Sequence, residues 1–258
     1  PHVKLSLFVC LSLLFIGVAR PATADENAAL RAFETGEYTQ ALAELVLDEG
    51  ANAAALRARI MLADAMTIDA YQPPESLVRD AKSAAEQALT IDPNNVEGRL
   101  QKAIALSLEA RAMSLRAARK SGHVELAREL VESILQDDPS NKYAHGYLSV
   151  WNLEVLRRGG RLDGMIMGAS QKKARTHYQQ AVAVDFDDAS VHWQYARALA
   201  ALNLARYEDD VRAALAAALA STCETQVEQV MQTRAKALSD QLNDQGIEVA
   251  EASARKML

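Results

Sequence analysis

Apolar and polar positions along this chain alternate with the period of an α-helix. In DAKSAAEQALTIDP (80–93), ELARELVESILQDDP (125–139) and KARTHYQQAVAVDF (173–186), small or apolar residues recur seven positions apart, which keeps them on one stripe of a helix. Val and Ile nowhere form the alternating runs of a half-buried strand, while Ala, Leu, Glu, Gln and Arg favour helix throughout. An all-α chain is predicted.

The three segments also share an internal spacing. Ala81, Ala88 and Pro93 are spaced seven and five apart, Ala127, Ile134 and Pro139 repeat that spacing, and Ala174, Ala181 and Phe186 repeat it with Phe in place of Pro. A stripe of small residues lets a preceding helix approach closely, and the proline closes the unit and opens the next. Each copy is therefore read as the second helix of a pair. The units are long. Pro93 to Pro139 is 46 residues and Pro139 to Phe186 is 47. The third unit is read with one long first helix from about Val96 to Lys120. In the fourth, Gly159 and Gly160 break the helix and RLDGMIMGAS follows as a loop, in which Met165, Ile166 and Met167 are a candidate lid. TIDAYQPPES separates the helices of the second unit, and a last helix runs from Thr225 to Asn243.

The Ala, Ala, Pro set of the second helices resembles the tetratricopeptide repeat family, and Gly36, Tyr38 and Ala41 in ETGEYTQAL look like that family's turn and second-helix opening. The first helices depart from it. They lack the usual Trp, Leu-Gly and Tyr set, apart from Trp193 and Ala196, and the units exceed the family's roughly 34 residues. The resemblance implies an array of antiparallel helix pairs with elongated central repeats and a C-terminal helix. More narrowly, the long third and fourth units and the WNLEV…GAS…KARTHYQQAV arrangement are similar to the T components of tripartite ATP-independent periplasmic transporters. That likeness implies a solute-binding protein of the periplasm as partner.

Charge and the N-terminus narrow the setting. Twenty-eight basic against 34 acidic residues among 258 give a net charge of −6, the wrong sign for a nucleic-acid surface. His2 and Lys4 precede an apolar run from Leu5 to Val18, followed by Arg20, Pro21 and the small triplet Ala22, Thr23, Ala24. This layout predicts a signal peptide over residues 1–24, a single helical-repeat domain over 25–258 and a periplasmic location, with membrane attachment only if the segment stays uncleaved. Cys10 lacks a lipoprotein context. Cys223 is then left without an intramolecular partner and is read as a buried thiol on an alanine-rich helix.

Motifs of high catalytic specificity are missing: there is no phosphate loop, no H-E-x-x-H and no paired C-x-x-C. Neither an enzyme nor a cofactor is expected. His145 and His192 open successive first helices with His177 between them, and three converging imidazoles could hold zinc. A packing role is the preferred reading, and no metal is expected. Aromatic residues cluster instead at the first helices of the last units, as Tyr143, Tyr147, Trp151, Trp193 and Tyr195.

The family's first helices line a concave face, which places Leu100, Ile104, Tyr143, Val150, Glu154, Trp193 and Arg197 in a partner-binding groove. Two functions follow. One is a non-enzymatic module that presents this groove to a periplasmic protein or peptide, with homo-oligomers possible. The other is a transport accessory or carrier, holding a small apolar ligand in a cavity between the elongated repeats. A closed apolar pocket of several hundred Å³ would favour the carrier, and an open groove with a polar rim the module.

Overall fold

The computed structural model describes residues 23–69, 72–183 and 187–257. Residues 1–22 of the segment expected as a signal peptide (1–24), and the Phe186 position, lie outside the described residues.

Twelve helices and no strand occur among the described residues: α1 (Ala24–Glu34), α2 (Tyr38–Glu44), α3 (Ala51–Ile68), α4 (Glu75–Ile91), α5 (Val96–Ala112), α6 (Leu115–Ser121), α7 (His123–Asp137), α8 (Lys142–Met167), α9 (Gln171–Ala181), α10 (Ala189–Ala220), α11 (Gln226–Asp244) and α12 (Ile247–Lys256). They pack as successive hairpins α1/α2, α3/α4, α5/α7, α8/α9 and α10/α11, with α12 against α10. Ala81, Ala88, Ala127, Ala174 and Ala181 are all fully buried, as the seven-residue stripe predicts.

Equivalent units start the same way for a local reason. The α4–α5 and α7–α8 connections both read D-P-x-N. Asp92 accepts the Asn94 N–H at 2.9 Å and Asp138 accepts the Ser140 N–H at 3.0 Å. Asn95 and Asn141 then cap α5 and α8, accepting from Gly98 at 2.7 Å and Ala144 at 3.0 Å. Asp188 does the same for α10 without the proline, accepting from Ser190 at 2.7 Å. At the other end of the described chain, Thr23 and Glu26 form a reciprocal capping box on α1.

Three sequence readings are corrected here. The helix expected over Val96–Lys120 stops at Ala112, because Ser114 caps a separate α6 through the Ala117 N–H. The segment expected as a loop after Gly160 is helical to Met167. Gly160 (φ 67°, ψ −161°) kinks α8 without ending it, since only glycine adopts that backbone cheaply and the residues beyond it resume helical hydrogen bonding. The helix expected over Thr225–Asn243 is present as α11, capped by Thr225, and a further helix, α12, follows it after Gly246 (φ 88°). Cys223 lies past the end of α10, partly exposed, rather than on the alanine-rich helix.

The hairpins close on themselves. α11 packs on α10 and also reaches α1 and α3, so the end of the described chain meets its beginning. Arg234 of α11 donates to the Met66 carbonyl of α3 at 2.8 Å, and Val227 packs against the α1–α3 core. This arrangement leaves a half-open space lined by α3, α5, α6, α7, α8, α10 and α11. α12 buttresses the outside of α10, where Asn203 and Tyr207 leave helical geometry and Glu251 takes the freed Leu204 N–H at 2.7 Å.

Candidate functional site

This space is a half-open cavity of about 320 Å³, with the wall residue Tyr143 47% exposed. One face of α8 forms its long wall: Tyr143, Tyr147, Val150, Trp151, Glu154, Val155 and Arg158 recur at helical spacing and all line it. Leu100, Ile104, Ser107, Leu108 and Arg111 of α5 form the facing stripe, with Ser190, Gln194 and Arg197 of α10 and Val227 and Met231 of α11 closing the ring. At 1.5 Å per residue, Tyr143 to Arg158 spans about 22 Å of wall, so the cavity is elongated along α8. The α6 and post-kink segments form one end, where Arg119 and Asp163 pair across the gap.

Six of the seven predicted site residues meet here: Leu100, Ile104, Tyr143, Val150, Glu154 and Arg197 all line the cavity. Trp193 does not. It is 1% exposed and belongs to the α8–α10–α11 core, with one edge on a neighbouring recess. The register of α10 turns positions 194 and 197 inward and sends 193 into the hairpin contact. The predicted lid is also corrected: Met165 and Ile166 are 77% and 73% exposed and face solvent, and of the three only Met167 lines the cavity. Met167 is held there by Arg128, which donates to its carbonyl at 2.8 Å.

The three histidines do not converge. His145 Nδ1 lies 2.9 Å from His177 Nδ1, whereas His192 Nδ1 pairs with the Tyr178 hydroxyl at 2.8 Å. Burial, then His145 and Lys173, lowers the pKa of His177 to about 4. Among the described residues no group of three His, Cys, Asp or Glu is placed to hold a metal ion.

Polar chemistry gathers at one end of this mostly apolar space. Tyr147 and Ser107 share a hydrogen bond of 2.6 Å across the α5 and α8 walls, and burial raises the tyrosine pKa. Further along, Arg111, Arg158 and Arg197 line the cavity with Glu154, whose Oε2 accepts from Arg157 at 2.9 Å. Arg158 is spent on the Ala110 and Met113 carbonyls at 2.8 Å each, which closes the C-terminus of α5. Arg197 donates to the Met257 carbonyl and to Gln194 Oε1, leaving its Nε without a partner. Burial, then the repulsion of Arg111, lowers the Arg197 pKa to about 9, so the group is still charged at neutral pH. Burial also lowers that of Arg111, which has no hydrogen bond or ion pair among the described residues. Glu154 Oε1 and Ser190 Oγ are buried and unpartnered as well.

Sequence reasoning missed Arg111, Arg158, Tyr147, Trp151 and Met231 as wall residues. The stripe 100, 104, 107, 108, 111 on α5 was available as a signal, but an arginine on it reads as a solvated face until a ring closes around it. Met231 carried no signal, since only closure of α11 brings it inside.

No model of a known protein family, no curated protein and no solved structure matches the chain.

Proposed function

We propose that this chain is a carrier or transport accessory for a small, largely apolar molecule, held in the cavity along α8. One observation carries the reading: a half-open cavity of about 320 Å³, walled mainly by Leu, Ile, Val, Met and aromatic side chains and lined by seven helices. That is the lower part of the size range of small-molecule sites, and a folded chain does not leave such a volume between well-packed hairpins without cost. The tetratricopeptide-like repeats supply the frame, and their elongation gives the walls depth. Export, with the mature chain beginning at Asp25, and the likeness to transporter T components belong to this same reading.

A neutral fluorophore that brightens in apolar surroundings, N-phenyl-1-naphthylamine, tests it. One-to-one saturable binding by the wild type is expected, abolished by Val150→Trp and by Ile104→Trp, which fill the cavity from opposite walls while circular dichroism stays helical. Absence of saturable binding, or unchanged binding in both folded variants, overturns the proposal.

A protein partner forms a second, compatible reading, and a specific surface favours it. Leu162, Met165 and Ile166 sit three and four residues apart on the post-kink turn of α8, all strongly exposed. A solute-binding protein docking there would face the cavity end closed by Arg119 and Asp163. N-terminal sequencing of native material and co-purification of wild type against Leu162→Ser/Ile166→Ser test the export and partner parts of this reading.

A further inference from the structure

The cavity does not end at the arginines. A recess of about 30 Å³ adjoins it and shares Met66, Arg111, Gln194, Arg197 and Met231 with it, adding Arg234 and Asp69. Three guanidinium groups thus face one carboxylate in a space with room for a water or a group of similar size. Arg234 and Asp69 already have partners within the fold. Arg111 has no hydrogen bond or ion pair among the described residues, only the attraction of Glu154, and Arg197, 4% exposed, keeps a free Nε. A buried guanidinium with unused donors leaves part of its desolvation cost uncompensated, and a second one beside it adds repulsion. An anion in the recess would relieve both.

The rest of the cavity holds no further free guanidinium among the described residues and is mostly apolar, with Ser190 Oγ its unpartnered hydroxyl. Leu100, Ile104, Val150 and Val227 present hydrocarbon, and Tyr143 to Glu154 is about 16 Å of wall at 1.5 Å per residue. Building on the carrier reading above, we infer that the ligand is an anionic amphiphile: a monocarboxylate with a medium-length apolar tail, its carboxylate in the recess between Arg111 and Arg197 and its tail along α8. A planar carboxylate matches the guanidinium fork in two-point hydrogen bonding, which a hydroxyl cannot do. Glu154 also lines the cavity, accepts from Arg157 and attracts Arg111 and Arg197, so the arginines have one carboxylate near them already and a ligand with a second negative charge is disfavoured.

The test compares two probes of the same tail, dodecanoate and 1-dodecanol, as competitors of N-phenyl-1-naphthylamine at pH 7.5 on the full chain. Dodecanoate is expected to bind at least tenfold more tightly than dodecanol to the wild type. Arg111→Met and Arg111→Gln should each lower dodecanoate affinity tenfold or more while leaving dodecanol within twofold, and Val150→Trp should abolish both. Equal affinities for acid and alcohol in the wild type overturn the carboxylate site but leave the carrier reading standing. Failure of both to displace the fluorophore overturns the carrier reading too. A tenfold acid preference that survives in both Arg111 variants overturns the assignment to the recess.

Discussion

Arg111→Met should make the ligand-free protein more stable, and the size of the gain follows from the surroundings of that guanidinium. Arg111 is partly buried, has no hydrogen bond or ion pair among the described residues, and feels Arg157 and Arg158 against the single attraction of Glu154. Burial and like charge together outweigh Glu154, since the net effect disfavours the charged form. Methionine keeps an unbranched apolar stem, and the two residues have nearly the same helix propensity, so backbone preference does not enter. Replacing a poorly compensated buried ion with an apolar side chain gains about 1–4 kcal/mol, and partial exposure puts this case at about 1–2 kcal/mol. For a domain of this size that corresponds to a Tm rise of about 2–8 °C. Thermal unfolding followed by helical circular dichroism, without ligand and at low salt, measures it. Half-molar salt should narrow the gap, because screening relieves arginine repulsion in the wild type more than in the variant. A variant that melts at or below the wild-type temperature at low salt would show that Arg111 is a satisfied structural group and refute the reasoning. The gain in stability with loss of acid binding is the signature of a site kept at the expense of the fold.

Other expectations rest on different features. Ala127→Leu forces volume into a fully buried hairpin contact on α7 and should cost about 1–3 kcal/mol in urea unfolding; an unchanged midpoint would remove the small-residue stripe from the packing account. Gly160→Ala should cost about 1–3 kcal/mol, more than Gly122→Ala, although nothing lies within 4 Å of the added methyl at either position, because Gly160 (φ 67°, ψ −161°) lies where only glycine is at ease and Gly122 (φ 70°, ψ 6°) is left-handed helical; equal costs would locate the penalty in contacts rather than backbone. His177 is uncharged in the fold down to about pH 4 but protonates near 6.5 when unfolded, so the unfolded chain binds the extra proton between those values. Stability is then full above pH 6.5 and falls by about 2–3 kcal/mol toward pH 4, with His192 shifted in the same direction by burial; His177→Gln should flatten the slope, and parallel slopes would contradict the assignment.

Much of the frame was legible in the chain. Ala81, Ala88, Ala127, Ala174 and Ala181 are buried where their spacing puts them, because helix period is a local property and a small-residue stripe has one efficient use, the close approach of another helix. Leu100, Ile104, Tyr143 and Val150 face one space for the same reason, being inward positions on α5 and α8. Local sequence was a poorer guide where glycines and caps compete: Gly160 kinks a helix that its neighbours continue, and Ser114 splits one that composition would extend.

The cavity itself was decided only in three dimensions. Trp193 and Gln194 are adjacent in the chain, yet one is core and the other wall, because a helix turns each residue by a hundred degrees and only packing of α10 against α8 and α11 sets which way is in. Packing of α11 against α1, α3 and α10 turns an open face into a cavity wall, and with it Arg111, Arg197 and Arg234 come to line one recess, Arg197 buried and the other two half-buried. No residue pattern along one helix encodes that change, since the cost of burying a charge depends on what the other helices bring beside it.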